Sequence, residues 1–272
     1  MSIKLIAIDL DGTLLNSKKE ITPYTLEVLK EANKRGVYVV LASGRPIGGM
    51  MHLVKELELE KKENYVINFN GGAINRTDTL ESIYNCSITI DDVFELEKFS
   101  IEHNVHSHAF INGELFALEQ GKYSDVECEI NRIGITYRKY ESFTKEDVVN
   151  KYMFADEPSK LKEVYPYLPR ELFDKYTIVF SSPFFLEFLN KETNKGRAMD
   201  FLCKYLNISK DEVMAIGDEE NDLSMLEYAT HKIAMENANP KVKAIATYIT
   251  SSNNEDGVGK AVEKYVLNEL LF

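Results

Sequence analysis

Two carboxylates follow directly on an apolar segment near the start of the chain. Asp9 and Asp11 stand two positions apart after the apolar run at 3–8, and Gly12 comes next. Neighbouring carboxylates repel each other, and a hard cation such as Mg²⁺, which takes oxygen ligands, relieves that repulsion. A strand-end Asx turn without any ligand gives the same pattern. The spacing by itself leaves both interpretations open.

A second acidic group follows another apolar run, at 213–216. Asp218 comes after Gly217, where it is predicted to lie at a strand end and to complete a metal site with Asp9. Asn221 and Asp222 lie one helical turn further and could support the ligand shell. The alternative is a Gly-Asp turn followed by the acidic first turn of a helix, which is a common arrangement.

Two further segments could bind an anion. Ser43 and Gly44 follow a predicted strand at 37–41 and precede a helix, so a hydroxyl and backbone N–H groups are available to a phosphate. Helix capping by Ser43 is the alternative, and both roles can hold together. Lys195, before Gly196 at a predicted helix start, offers a cation, although a single lysine indicates little without companions.

The composition restricts the partners. The 272 residues carry a formal net charge of -12, which argues against nucleic acid and anionic membranes as partners. The acidic chain also repels phosphorylated molecules at long range, so a phosphate site needs local positive charge. Three cysteines without a CxxC pair suggest neither a zinc site nor a disulfide framework, and favour a reduced, cytoplasmic location. No apolar run approaches the roughly 20 residues of a membrane span.

The order of the predicted elements indicates two domains. Strands and helices alternate over the first 80 residues and again after Lys195, which predicts an α/β core with a mainly parallel sheet and helices on both faces. Between them, 83–189 favours an α+β insert with a largely antiparallel sheet. The core is therefore predicted to be discontinuous, 1–82 plus 190–272, and to end in a helix at 258–271. Asp9, Ser43 and Asn70 each follow a strand, where parallel sheets bind ligands.

These motifs together resemble those of the haloacid dehalogenase (HAD) superfamily of phosphatases. The resemblance covers essentially the whole chain and is specific to the Cof-type hydrolases, which carry a large cap of subclass IIB (C2B type) between the second and third motifs. The matching segments are DLDGT at 9–13, SGR at 43–45, KG at 195–196 and GDEEND at 217–222, with subfamily features NGGAI at 70–74, AMENA at 234–238 and NNEDGVG at 253–259.

The resemblance implies a three-layer α/β/α core and a Mg²⁺-dependent mechanism. Asp9 is expected to attack phosphorus and form an aspartyl-phosphate, while Asp11 protonates the leaving alcohol and then activates water. Lys195 is the third expected catalytic residue, and the remaining roles are phosphate binding and metal binding. Phosphate binding is expected of Ser43, Gly44, Lys195 and Asn221, and metal binding of the Asp9 carboxylate, the Asp11 carbonyl, Asp218 and Asp222.

The insert is interpreted as a lid that contacts the rest of the substrate. The expected partner is a small phosphorylated metabolite such as a sugar phosphate. A phosphomutase would use the same aspartyl-phosphate, and an inert sensor of phosphorylated metabolites is a non-enzymatic alternative. The intact set of Asp9, Asp11, Lys195 and Asp218 argues against the sensor, because binding alone requires neither nucleophile nor acid. Substrate identity and oligomeric state, monomer or homodimer, stay open.

Overall fold

The computed structural model describes residues 2–268, which form two compact units. The first contains 2–44, 51–84 and 194–268, and the second contains 45–50 and 85–193. The boundaries of the inserted domain, which the sequence analysis places at residues 83 and 189, stay predictions. Within the described residues, no helix is both long and apolar enough to cross a membrane.

Strands and helices alternate along the first unit, and the second unit interrupts that alternation. The strands are β1 (Leu5–Ile8), β2 (Tyr38–Ala42), β3 (Tyr65–Asn68), β4 (Ala73–Arg76), β5 (Ser82–Asn85), β6 (Ser107–Ile111), β7 (Glu114–Ala117), β8 (Ile135–Tyr137), β9 (Val149–Ala155), β10 (Tyr176–Ser182), β11 (Phe185–Asn190), β12 (Val213–Gly217), β13 (His231–Ala234) and β14 (Tyr248–Ile249). The α-helices are α1 (Pro23–Lys34), α2 (Ile47–Glu56), α3 (Ile90–Glu102), α4 (Lys122–Asn131), α5 (Pro158–Val164), α6 (Arg170–Lys175), α7 (Lys195–Tyr205), α8 (Leu223–Tyr228), α9 (Pro240–Ile245) and α10 (Gly257–Val262).

The first unit is built on a sheet in the order β14-β13-β12-β1-β2-β3-β4-β5. Neighbours from β14 to β3 pair in parallel, and β4 returns antiparallel to β3. All four residues of β1 are buried. Successive side chains of a strand point to opposite faces, so both faces of the sheet are covered at its centre. The predicted parallel α/β core is confirmed.

Helix α1 begins at a capping threonine that is followed by proline. Thr22 is its N-cap, with a side chain that accepts a hydrogen bond from the Thr25 N–H, and Pro23 occupies the first helical position. The C-terminal helix predicted at 258–271 consists of α10 followed by a π-helical stretch, Glu263–Leu267, and the rest of that prediction lies outside the described residues.

Several short elements were not predicted. Strands β4 and β5 extend the core sheet, but β5 has no buried residue and therefore lacks the apolar pattern on which strand prediction depends. Helices α4, α6 and α9 were missed for a related reason. They have 10, 6 and 6 residues, and a periodic pattern is short in such helices.

The second unit has its own sheet, in the order β10-β11-β9-β6-β7-β8. Its pairs are antiparallel except for β7 with β8. Aromatic residues fill its core, where Phe154 packs edge-on against Phe188 and Tyr152. The prediction of a largely antiparallel α+β insert agrees with this architecture.

A charged cluster is also buried in the second unit. The ammonium of Lys151 lies 2.9 Å from Glu187 Oε1 and 3.7 Å from Glu127 Oε1. The three residues are 3%, 5% and 4% exposed, respectively. Desolvation of buried charges is costly, so the two buried carboxylates depend on the ammonium of Lys151 as their cationic partner.

Removal of the cation in this cluster is expected to destabilise the protein. Lys151→Ala leaves two buried carboxylates without their partner, which costs about 3–5 kcal/mol of unfolding free energy. Chemical unfolding followed by circular dichroism measures the change. Lys145→Ala is the control, because Lys145 pairs with Asp91 at 3.0 Å on the surface with 81% of its side chain exposed. Equal unfolding midpoints for the two variants would contradict the prediction.

Candidate active site

Four of the predicted site residues lie at the carboxyl ends of four adjacent parallel strands of the core sheet. Asp9 follows β1, Ser43 follows β2, Asn70 lies two residues beyond β3, and Asp218 follows β12. The strand order β12-β1-β2-β3 makes these carboxyl ends neighbours. The Asp9 backbone N–H donates to the carbonyl of Ile216 at 3.1 Å, which extends the β1–β12 pairing into the site.

Lys195, the first residue of α7, lies at the centre of the site. Its side chain is fully buried, and its ammonium donates to Asp9 Oδ1 and Asp222 Oδ1, both at 2.6 Å. Burial opposes the charge of Lys195, but the two carboxylates outweigh it and raise the pKa above its ordinary value. Lys195 therefore stays protonated and places a fixed positive charge inside the site.

Asp222 joins the lysine to the strand end of β12. Its Oδ1 accepts from Lys195, and its Oδ2 accepts from the backbone N–H groups of Asp218 at 2.9 Å and Glu219 at 3.1 Å. Asp222 is fully buried, so these bonds satisfy a carboxylate that water cannot reach. The acidic turn after Gly217 is thus one hydrogen-bonded structure with the cation.

Asp218 is held by the loop that carries the two N-terminal aspartates. The Thr13 hydroxyl donates to Asp218 Oδ1 at 2.6 Å. Gly12 has φ +87°, and a Cβ atom there would lie 2.3 Å from Asp218 Oδ2. Only glycine permits both that backbone conformation and that close approach. Thr13 was not among the predicted site residues, although its place in DLDGT could have signalled it.

Burial raises the pKa values of two of the carboxylates, Asp9 and Asp218. It raises the pKa of Asp9 to about 7, against the opposing effect of Lys195, and the carboxylates of Asp222 and Asp218 add to the increase. Burial also raises the pKa of Asp218 to about 6, an increase that the Thr13 hydrogen bond reduces. In both cases burial disfavours the ionised carboxylate, and the neighbouring carboxylates add to that effect.

The acidic residues fit a divalent cation. Asp9, Asp218 and Asp222 each offer a carboxylate oxygen, and these oxygens lie within 4.8 Å of one another. Hard cations such as Mg²⁺ prefer such oxygen ligands. Because both oxygens of Asp222 already accept hydrogen bonds, Asp9 and Asp218 are the better direct ligands.

Asp11 lies apart from this cluster. Its carboxylate forms a salt bridge with Lys19 at 2.7 Å, and 43% of its side chain is exposed. The carboxylate is not one of the three that approach one another closely enough to share a cation. Its expected roles, as an acid/base through the carboxylate and as a ligand through the backbone carbonyl, stay predictions.

The predicted phosphate-binding residues adjoin one another. Ser43 is buried, and its carbonyl accepts from the Asn70 N–H at 2.9 Å. Asn70 in turn accepts from the Asn221 side-chain amide at 3.1 Å and lies against Gly44. Helix α2 begins only at Ile47, four residues after Ser43, so Ser43 is not the residue immediately before that helix.

Comparison with known families matches residues 6–262 to the model of the haloacid dehalogenase-like hydrolases. The chain belongs to this family. The membership predicted from the motifs is confirmed, as is the assignment to a class of hydrolytic enzymes. Family membership also gives a common context to the four separate motifs, two of which, at 9–13 and 217–222, contact Lys195 through Asp9 and Asp222.

Individual members of the HAD-like hydrolase family agree with this assignment. A Streptococcus pyogenes protein named provisionally as a phosphatase is 44% identical over 270 residues, 98% of this chain and 100% of that protein. A crystal structure of a HAD-like hydrolase from Bacteroides thetaiotaomicron matches with a TM-score of 0.89 and 32% identity, covering 97% and 99% of the two chains. A structure named as a HAD subclass IIB sugar phosphatase matches with a TM-score of 0.75 and 25% identity, covering 96% and 98%.

The fit between Gly12 and Asp218 gives a test of the geometry. Gly12→Ala is expected to destabilise the protein by more than the roughly 1–2 kcal/mol that a left-handed backbone costs an L-residue, because the new methyl group also collides with Asp218. Gly36→Ala is a matched control, since Gly36 has φ +92° and a Cβ there would meet nothing within 4 Å. Chemical unfolding compares the two, and an equal loss of stability would show that Asp218 moves away freely.

Proposed function

We propose that this HAD-like hydrolase is a Mg²⁺-dependent phosphatase acting on small phosphorylated metabolites, with sugar phosphates as the first class to test. The observation that carries the proposal is the buried contact of Lys195 with Asp9, beside the carboxylates of Asp218 and Asp222. One nucleophilic carboxylate, one fixed cation and a set of oxygen ligands match the needs of phosphoryl transfer. The names of the related phosphatases support the same conclusion.

In the first chemical step of the proposed reaction, Asp9 acts as the nucleophile. A carboxylate oxygen of Asp9 forms a bond to phosphorus as the bond from phosphorus to the leaving oxygen breaks, which yields an aspartyl-phosphate. The leaving oxygen takes a proton from Asp11 in its protonated, carboxylic acid form, and 43% of the Asp11 side chain is exposed. Because Lys195 already contacts Asp9 Oδ1, its ammonium is close to the oxygens on which charge accumulates.

The second step reverses these proton positions. Asp11, now deprotonated, accepts a proton from a water molecule as its oxygen attacks phosphorus, and the bond between phosphorus and Asp9 breaks. Inorganic phosphate leaves, and Asp9 is regenerated. Lys195 and the Ser43–Gly44 segment hold the phosphoryl oxygens through both steps. Of the protein side chains, only Asp11 gains or loses a proton in this scheme.

The metal would be held chiefly by the carboxylates of Asp9 and Asp218, with the Asp11 carbonyl completing the protein ligands and Asp222 beside them. When bound, Mg²⁺ supplies positive charge that offsets the repulsion between the Asp9 carboxylate and the phosphate. Thr13 and Lys195 orient the two carboxylates by hydrogen bonds, which is how supporting residues commonly tune a metal site.

Loss of the nucleophile is expected to abolish turnover. Asp9→Asn keeps the shape of the side chain but removes the attacking charge, and phosphate release should fall by roughly 10⁴–10⁶-fold. Phosphate release from a panel of phosphomonoesters with Mg²⁺ is the measurement. Asp200→Asn is the control, since Asp200 pairs with Lys204 on the exposed side of α7. Wild-type turnover in Asp9→Asn would refute the assignment of the nucleophile.

Mg²⁺ is expected to stabilise the folded protein as well as to support turnover. Binding at one hundred times the dissociation constant contributes about 2.7 kcal/mol to folding. The thermal midpoint should therefore rise with MgCl₂ and fall again with a chelator. Asp218→Asn should reduce this shift because it removes a ligand charge, and Asp200→Asn should keep it. An unchanged shift in Asp218→Asn would place the cation elsewhere.

A further inference from the structure

A left-handed turn follows β3 and has no role in the mechanism so far. Three successive residues have positive φ: Phe69 at 51°, Asn70 at 56° and Gly71 at 96°. Residues other than glycine rarely adopt this backbone conformation, and a bulky residue such as Phe69 does so least readily. Such strain persists only where surrounding contacts hold it, and it concentrates at functional sites.

The turn contacts the Ser43–Gly44 segment through its backbone and its side chain. The Asn70 N–H donates to the Ser43 carbonyl at 2.9 Å, while the Ser43 N–H donates to the Ile67 carbonyl at 2.9 Å. The Asn70 side-chain amide lies so close to Gly44 that a Cβ on Gly44 would be 2.9 Å from Asn70 Nδ2. The backbone around Gly44 is therefore packed directly against the Asn70 amide.

The same turn also contacts the two other phosphate-binding segments. A Cβ on Gly71 would lie 2.2 Å from the carbonyl oxygen of Asn194 and 2.9 Å from the backbone nitrogen of Lys195. The turn therefore packs against the start of α7. On the opposite end of the site, Asn70 Oδ1 accepts from Asn221 Nδ2 at 3.1 Å. Three segments that are remote in sequence thus meet at Asn70 and Gly71.

We propose that Asn70 is a positioning residue that fixes which end of the Asn221 amide faces the phosphoryl group. This inference rests on the proposed phosphatase function. An amide has a donor end and an acceptor end of nearly equal shape, and only the donor end attracts phosphate. Because Asn70 Oδ1 accepts one N–H of Asn221 Nδ2, the second N–H of that nitrogen stays available as a donor. Without Asn70, the Asn221 amide can rotate and present an oxygen that repels phosphate.

The variant Asn70→Gly tests the side chain alone. Glycine tolerates the left-handed backbone and keeps the N–H that donates to Ser43, so the fold should survive. We expect kcat/KM to fall about tenfold and the dissociation constant of inorganic phosphate, measured by calorimetry with Mg²⁺, to rise by a similar factor. In an Asn221→Ala background, Asn70→Gly should change both quantities by less than about threefold, because coupled residues are not additive.

Asn207→Gly is the matched control. Asn207 is also a left-handed asparagine of the first unit, with φ 54°, but it is exposed at the end of α7. The Asn207→Gly variant should have the kinetics of the wild type. Its thermal unfolding midpoint should equal that of Asn70→Gly. Kinetics of Asn70→Gly within twofold of wild type, or effects that multiply in the double variant, would overturn the inference. A wild type that binds phosphate but releases none from any ester would refute the phosphatase, and the phosphate affinities would still decide the role of Asn70.

Discussion

The site depends on one buried ammonium group. Lys195 has no access to water, so its charge is tolerable only because Asp9 and Asp222 both accept from it at 2.6 Å. These partners lie 186 and 27 positions away in sequence, and the contact can form only after the sheet has brought both ends of the chain together. The same charge that stabilises the fold locally is the cation near the phosphoryl oxygens in the proposed reaction.

Asparagine side chains form hydrogen bonds with the loop that follows Asp9. Asn237 donates to the Gly12 carbonyl and Asn253 to the Leu15 carbonyl, both at 2.8 Å. Asn254 accepts from the Ser17 N–H at 2.9 Å. These contacts give a structural meaning to the AMENA and NNEDGVG segments, because an amide side chain satisfies backbone groups of a loop that has no ladder partner. Loops held in this way can keep functional groups in place on a rigid sheet.

The two units illustrate different ways of burying charge. In the second unit, Lys151 lies between two glutamates beside the ring of Phe110, and burial raises the pKa of Glu127 above its ordinary value. In the first unit, Lys195 contacts Asp9 and Asp222 beside Asp218, and burial raises the pKa of Asp9 and Asp218, an increase to which the neighbouring carboxylates add. Among the described residues, the site in the first unit brings three carboxylate oxygens within 4.8 Å of one another, and this separates the candidate metal site from the structural cluster around Lys151.

The sequence by itself determined the family, the parallel core sheet and the positions of Asp9, Ser43, Asn70 and Asp218 at strand ends. This was possible because buried strands are apolar throughout and polar residues mark where they end. Short or exposed elements such as β5 and α6 were missed because they have little or no apolar periodicity.

Only the tertiary structure decided which groups touch. Thr13 on Asp218, Asn70 on Asn221 and the separation of the Asp11 carboxylate from the acidic cluster all depend on side-chain directions and interatomic distances. Residue spacing along the chain does not contain these quantities, because hydrogen bonds require alignment within a few tenths of an ångström between segments that are remote in sequence.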